Sequence, residues 1–404
     1  METETRYVPP ELLVSQILPR LPVRSLLRFR CVCKAWRDTI DKDGSFHLQQ
    51  LRLQKTALLL VPLVRHGNNY LWRRAAGLYR WERSQGAATL VHGMANYYLF
   101  RANEASHDLA HCDGLVLLPS EATVRVLNPA TRRVLTLPQS PRSMRPHGVP
   151  GYLRSHQAFG LGHDHRTKAY KVARFFYSSM NLVIQAKGFQ YTLGMEIFTV
   201  GIDRLWRDIK KPPPYPIKPE QTATFCKGSL FWTVEMSVLG DEKPMPGFVR
   251  LNLEDESFSV VPPPPCFSST FVDYKISRLA ELHGELCLAY SGHGCMPLEI
   301  WCNNFDDKQP RWDRRFVIAL DVSIFGRAFC PKVIFDEEIV FQFTQHCLLR
   351  YNCQTSVMRN MVKMDGLRFT NPDNNDTTGT FVQYTSSVAR LFDTIPYVPS
   401  LAPI

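Results

Sequence analysis

Any chemistry in this chain would have to come from a few small clusters of reactive side chains. Cys31-Val32-Cys33 is the densest thiol pair. A zinc site wants ligands two to four residues apart and a second such pair. Residues two apart on a helix do not face each other, so these cysteines read as buried structural thiols. His163-Asp164-His165 sits between Gly162 and Arg166-Thr167 and reads as a solvated turn between strands, not a ligand set. His293, Cys295 and Cys302 are looser and lack a fourth ligand. His111-Cys112 suggests a base and a nucleophile, but adjacent strand residues point to opposite faces. No Gly-x-Ser-x-Gly, phosphate-cradling glycine loop or His-Glu-x-x-His occurs. The reading is a non-catalytic protein with no cofactor and no metal.

Recognition chemistry is the alternative. Residues 70–81 interleave Tyr70, Trp72, Tyr79 and Trp81 with Arg73, Arg74 and Arg80. Such a run could stack single-stranded nucleic acid. It also reads as a hairpin turning at Gly77, or as aromatic anchors at a protein-binding rim. Residues 141–154 carry Arg142, Arg145, His147 and Arg154 without an acid, in a stretch broken by Pro and Gly. Trp72, Trp81, Arg142 and Arg145 are the candidate substrate contacts. Residues 366–380 read as a solvated polar loop.

The elements that position these groups fall into two zones. Residues 8–52 read as three short amphipathic helices. Pro9-Pro10 and Glu11 suit a helix entrance, and Leu13, Ile17 and Leu21 share a face at intervals of four. Pro19 should kink or end that segment. Pro22 opens the next, with Leu26, Leu27 and Phe29. The third carries Val32, Trp36 and Ile40 and ends near Asp43-Gly44. About 45 residues cannot bury enough surface to be robust alone, so this piece must pack on the rest of the chain or on another protein.

Residues 55–395 read as strands. Gly-containing turns lead into short apolar strands at Asp113-Gly114, Lys227-Gly228 and His283-Gly284, with a looser instance at Asp336-Glu337. Proline stops follow at Pro138, at 212–214 and at 262–265. Residues 58–64 and 70–83 supply an early unit, and 381–391 could return as a strand to close a ring. Five or six stacked units give a propeller-like domain, with a two-sheet sandwich as the other architecture. The fold class is α+β by segregation: small and helical first, large and all-β after.

The 404 residues are 45% hydrophobic and 21% charged, enough for a sizeable core. No apolar run of about 18 residues exists to span a membrane, and the first residues lack an apolar signal core. Residence in the cytoplasm and/or nucleus is expected. Eleven cysteines in no frame then read as small buried residues and not as disulfides. The net charge of +11 is compatible with nucleic acid, with acidic proteins or with no specific partner.

The first zone closely resembles the F-box motif over roughly 8–48. The residues that carry this are Pro9, Glu11-Leu12-Leu13, Ile17-Leu18, Leu21-Pro22-Val23, Ser25-Leu26-Leu27, Val32-Cys33-Lys34, Trp36 and Ile40. The second zone is similar to the F-box-associated domain of plant F-box proteins. It shares His111-Cys112-Asp113-Gly114-Leu115, Asn128-Pro129-Ala130-Thr131, Phe159-Gly160-Leu161-Gly162, Tyr170-Lys171-Val172, Gly228-Ser229-Leu230-Phe231-Trp232 and Tyr397-Val398-Pro399-Ser400-Leu401. Val8 stands where the family has Leu, and Pro19 where it is more often polar.

The resemblance implies a substrate-recognition subunit of an SCF-type cullin–RING ubiquitin ligase. The helices would dock on a Skp-type adaptor and the β domain would capture an unknown target protein. Burying one large apolar side chain is worth roughly 1.5–3 kcal/mol, against an association cost of ~4–15 kcal/mol. Six or seven anchors are therefore needed. Pro9, Leu12, Leu13, Ile17, Leu21, Pro22, Leu26 and Trp36 are the candidate adaptor contacts. No acid lies between Leu12 and Arg37, while Arg20, Arg24, Arg28, Arg30, Lys34 and Arg37 are basic; they form a solvated face or steer the chain toward an acidic partner. The rival readings are an F-box adaptor acting outside degradation and a basic β protein that binds nucleic acid.

Overall fold

The computed structural model describes residues 9–65, 72–74, 77–82, 87–93, 108–119, 123–143, 157–183, 188–219, 221–239, 245–265, 277–291, 297–304, 311–320, 329–343, 347–363, 368–370 and 389–404. A helical segment over 10–20 is followed by helices Val23–Phe29, Lys34–Lys42 and Gly44–Leu53. Strands follow from Ala57 onward. Among the described residues no helix is long and apolar enough to cross a membrane.

The helix starts follow from local chemistry. Asp43 accepts from the backbone N–H groups of Ser45 and Phe46. It thereby ends the third helix and caps a fourth, Gly44–Leu53, where the sequence reading saw only a stop. Pro19 has no N–H for the carbonyl of Ser15. The first segment widens into a π turn over Leu13–Ile17 and ends in a tight turn at Leu18–Arg20. The Ser15 carbonyl instead accepts from the Gln49 side chain at 2.9 Å, and Gln54 donates to the Pro19 carbonyl at 3.3 Å. The fourth helix thus satisfies groups that the proline orphaned.

Among the described residues the strands form six sheets, five antiparallel ones of four strands each and a larger closing one with a single parallel pair. Thr224–Cys226, Ser229–Thr233, Phe248–Asn252 and Phe258–Val261 make one such sheet, paired in chain order. The first strand of each sheet contacts the first strand of the next: Ala110–Cys112, Gln157–Asp164, Thr224–Cys226, Arg278–Leu282 and Phe329–Phe335. The ring closes through Ala389–Tyr397, which touches both Phe329–Phe335 and Ala110–Cys112. This is a six-bladed propeller, not a sandwich. Its closing blade joins the two ends of the chain, since Ala389–Tyr397 pairs with Ala57–Arg65 along nearly its full length. The closing strand overlaps the stretch 381–391 expected from sequence at 389–391 and runs on to Tyr397; 381–388 lie outside the described residues.

The recurring Gly turns are the hairpins between the first two strands of a blade. Asp113/Gly114, Lys227/Gly228 and His283/Gly284 all have positive φ at both positions, the backbone of a two-residue turn that matches strand twist. Counting the closing blade as the first, the third blade, over Gln157–Asp208, uses a longer turn instead. Asp164 accepts there from the N–H groups of Arg166 and Thr167, which is why no Gly marked that unit in the sequence. The proline stops have partners: Trp206 Nε1 donates to the Pro138 carbonyl and Trp312 Nε1 to the Pro262 carbonyl, each at 2.7 Å. Each indole thereby ties one blade to the end of the previous one.

Several expectations are corrected. Trp72–Arg74 and Gly77–Glu82 do not form a hairpin with each other; both pair with Ala57–Arg65. Arg368–Thr370, within the polar loop expected over 366–380, is a strand parallel to Ala87–Thr89; the rest of that stretch lies outside the described residues. His163 and Asp164 are buried strand residues, and only His165 is exposed. Cys31 and Cys33 are exposed, on either side of a turn between helices; Cys33 caps the helix that follows. Cys287 and Cys302 are disulfide-bonded, contrary to the expectation of free thiols. They lie directly opposite each other on neighbouring strands, with Cα atoms 4.2 Å apart.

Charge is buried at the seam between the third and fourth blades. Lys171 Nζ contacts Asp164 at 2.8 Å, Glu256 at 3.0 Å and the Leu253 carbonyl at 2.6 Å, and Glu256 also binds Arg207. Burial alone would raise the Asp164 carboxyl, but hydrogen bonds from Lys171 and Thr167 outweigh it and hold it at about 2. A depressed carboxyl contributes stability above its unfolded value of about 3.9, and that contribution is lost as pH falls through its folded value. The stability gap between the native chain and Asp164→Asn is therefore expected to shrink by about 2 kcal/mol between pH 5 and pH 2. Denaturant melts at both pH values check this; a pH-independent gap would contradict it.

Candidate docking surfaces

The helices sort their apolar residues into two sets. Leu18, Val23, Leu26, Ile40 and Phe46 are buried together, and Leu401 from the C-terminal tail joins them. Leu26 is 0% exposed. It is a packing residue, and its place among the candidate adaptor contacts is corrected on that ground. Pro9 and Pro22 are exposed, and Leu12 and Ile17 stand 50% and 43% exposed. Leu13, Leu21 and Trp36 are half-buried, with Trp36 edge-on to Phe29 at 5.8 Å. Val32 is exposed at 58%, and Leu48 and Leu53 are exposed as well. None of these three was among the candidate contacts, because apolar periodicity names a helix face without saying what covers it.

The surface charge is partly spent internally. Arg30 pairs with Asp41 at 2.7 Å, and Arg37 Nε donates to the Arg30 carbonyl. Arg20 donates to the Gln16 carbonyl within its own segment. The helical surface keeps its basic excess with fewer mobile cations than the sequence suggests.

The tail fixes the helices to the propeller. Ser400 Oγ donates to the Asp113 carbonyl at 2.6 Å. Asn128 Nδ2 donates to the carbonyls of Ser400 and Ala402 at 3.1 and 2.9 Å. Leu401 then points into the helical cluster and Ala402 into the core between the second and third blades. A Cβ on Gly114 would stand 2.3 Å from the Val398 carbonyl, so glycine is required there for close approach as well as for its positive φ.

On the propeller, the aromatic run expected at 70–81 loses its described members. Tyr79 and Trp81 are buried with Leu58, Leu60 and Phe392 and cannot stack on bases or anchor a partner. Trp72 lies on a strand, but its side chain is outside the described residues, as is all of Arg145. Arg142 is exposed and pairs with Asp208 at 2.9 Å.

The channel at the propeller axis holds a cavity of about 350 Å³ lined by the inner strands of five blades. His111, Glu281, Lys332 and Thr394 are among its walls. Burial, with the Lys332 charge nearby, pulls the His111 imidazole down to about 4; burial pushes the Glu281 carboxyl up. Neighbouring Cys112 faces the core, where burial and Asp113 raise its thiol well above the ordinary range. It is no nucleophile for His111 to activate. Among the described residues no three His, Cys, Asp or Glu side chains gather to hold a metal ion. His293 and Cys295 lie outside them.

Comparison with known proteins matches residues 10–48 to the F-box domain and residues 93–404 to the F-box associated beta propeller domain. The strands between 57 and 93 complete the closing blade ahead of that second match. The F-box protein At3g07870 of Arabidopsis thaliana is 26% identical over 77% of this chain and 72% of its own. The F-box/LRR-repeat protein At2g43260 of the same plant is 25% identical over 85% and 76%. Among solved structures, the extracellular domain of BT4673 from B. thetaiotaomicron aligns over 78% of this chain and 38% of its own, at 9% identity and a TM-score of 0.39. With a helical F-box at its start and the matched propeller over most of its length, the chain belongs to the F-box proteins that carry an F-box-associated β-propeller domain.

Proposed function

We propose that this chain is the substrate-receptor subunit of an SCF-type cullin–RING ubiquitin ligase, working in the cytoplasm and/or nucleus. Its F-box docks on a Skp-type adaptor, and its propeller holds a target protein. It supplies no catalytic group: tethering raises the effective concentration of target lysines near a charged ubiquitin carrier, and bond-making belongs to other subunits. The observation that carries this reading is the exposure of Leu12 and Ile17, together with Pro9 and Pro22, on a bundle that buries Leu18, Val23, Leu26, Ile40 and Phe46. Leaving large side chains in water forgoes about 1.5–3 kcal/mol each, which a docked adaptor would recover.

Leu12→Asp with Ile17→Asp is expected to remove the adaptor from co-purified material. Both positions are exposed, so the propeller should melt as before. Retention of the adaptor would sink the assignment of this face. Proximity labelling with and without proteasome inhibition then separates ligase work from the adaptor reading outside degradation. Clients that accumulate only under inhibition support the former; an unchanged client set supports the latter.

A further inference from the structure

The cavity at the propeller axis has features that packing does not require. Its inner strand Phe329–Phe335 is interrupted at Lys332. Pro331 pairs with Phe341 and Val333 with Val340, so Lys332 is the extra residue of a β-bulge. Bulges re-aim a side chain, and they gather beside functional sites. Pro331 has no N–H to continue the ladder, which places the break at that point. The re-aimed side chain lines the channel, and Lys332 has no acidic partner among the described residues.

Two neutral donors line the same cavity. His111, held in its neutral form at physiological pH, has one ring N–H to give. Thr394 Oγ1 is buried without a hydrogen-bond partner among the described residues. Leaving such a group unpaired costs stability, and a ligand or water that accepts from it removes that cost. Phe225 and Leu279 add apolar wall. The volume of about 350 Å³ lies at the small end of the ~300–1,000 Å³ range of small-molecule sites. Lys218 and Thr233 also line it, and Thr233 is at the end of its strand remote from the Lys227-Gly228 turn. The equivalent turn of the second blade, at Asp113-Gly114, is the end that meets the tail and the helices. The cavity therefore extends toward the propeller face away from the F-box.

We propose that the propeller channel is a binding site for one carboxylate group, received by the Lys332 ammonium with His111 and Thr394 as further donors. Asp108, Lys218, Arg278 and Asp393 also line the cavity but have interactions of their own, which leaves Lys332, among the described residues, as the cation for a single negative group. A phosphate dianion calls for more than one free cation, and the acids Asp108, Glu281 and Asp393 in the same lining oppose a second negative charge. The carboxylate could belong to a free organic acid or to the C-terminus of a peptide chain. The site goes beyond the receptor reading and does not depend on adaptor docking, so each can fail without the other.

The experiment uses the full chain and reads its thermal midpoint and titration calorimetry. The probes are isovalerate and phenylacetate against their amides, and a random hexapeptide pool with free against amidated C-termini. Each acid is expected to raise the midpoint where its amide does not. Lys332→Gln, with an unchanged midpoint in the absence of probe, should weaken binding about tenfold or more. A response to free-carboxyl peptides but not to the small acids assigns the group to a chain terminus; the reverse assigns it to a metabolite-sized acid. If acid and amide act alike, if Lys332→Gln responds as the native chain does, or if no probe binds, the proposal is overturned.

Discussion

Leu401→Asp is expected to leave the propeller folded and set the F-box helices loose from it. Leu401 is the tail's contribution to the buried helical cluster, among Leu18, Val23, Leu26, Ile40 and Phe46. An unpaired carboxylate there would cost more than the contact is worth, so the helices would separate from the tail. Ala402, one residue on, belongs instead to the blade core. The hydrogen bonds from Asn128 and Ser400 hold the tail backbone in either case. Amide exchange should therefore rise sharply in Val23–Phe29 and Lys34–Lys42 while blade strands keep their protection. The milder Leu401→Ala should cost the docked state about 2–4 kcal/mol. Unchanged protection of the helices in Leu401→Asp would mean that the tail is not the latch. The functional consequence is geometric: a latched tail fixes the direction in which the propeller presents whatever it holds relative to the F-box.

Arg174→Met is expected to destabilise the propeller itself by about 3–5 kcal/mol. Arg174 and Glu196 face each other across neighbouring strands of the third blade. Both are buried, with Nη1 and Oε2 2.7 Å apart. Gln157 accepts from Arg174 Nε, and Ser140 Oγ donates to the other Glu196 oxygen. Removing the guanidinium strands a buried carboxylate with one hydroxyl donor and leaves Gln157 without its partner. Arg174→Met with Glu196→Leu removes both charges and should return most of the loss, because a buried pair is worth little net against well-packed apolar side chains. Denaturant midpoints of the three chains decide it. A single variant costing less than about 1 kcal/mol would show that water reaches the carboxylate.

Local chemistry made much of this molecule legible. Positive-φ turns at Asp113-Gly114, Lys227-Gly228 and His283-Gly284 announced blade hairpins, because a two-residue turn between twisted strands tolerates few residue types. Pro10, Pro19 and Pro22 placed the ends of helical segments through their fixed φ and missing N–H. The short helical zone and the propeller-like domain were both readable from such signals, while the F-box was named by the resemblance of its motif. So were the exposed Leu12 and Ile17 as candidate contacts, although Leu26 on the same pattern turned inward.

Tertiary structure alone decided which partner each residue met. Periodicity states that a residue has an apolar face; coverage depends on chain that returns from far away. Asn128 holds carbonyls 272 and 274 residues distant. Ala57–Arg65 finds its partner strand only in Ala389–Tyr397. Cys287 meets Cys302, and Lys171 becomes a buried cation, only once register and blade order are set. The bulge that turns Lys332 into the channel depends on strand pairing in the same way. A sequence carries the rules for each turn and cap, but only ring closure brings five separate inner strands around one cavity.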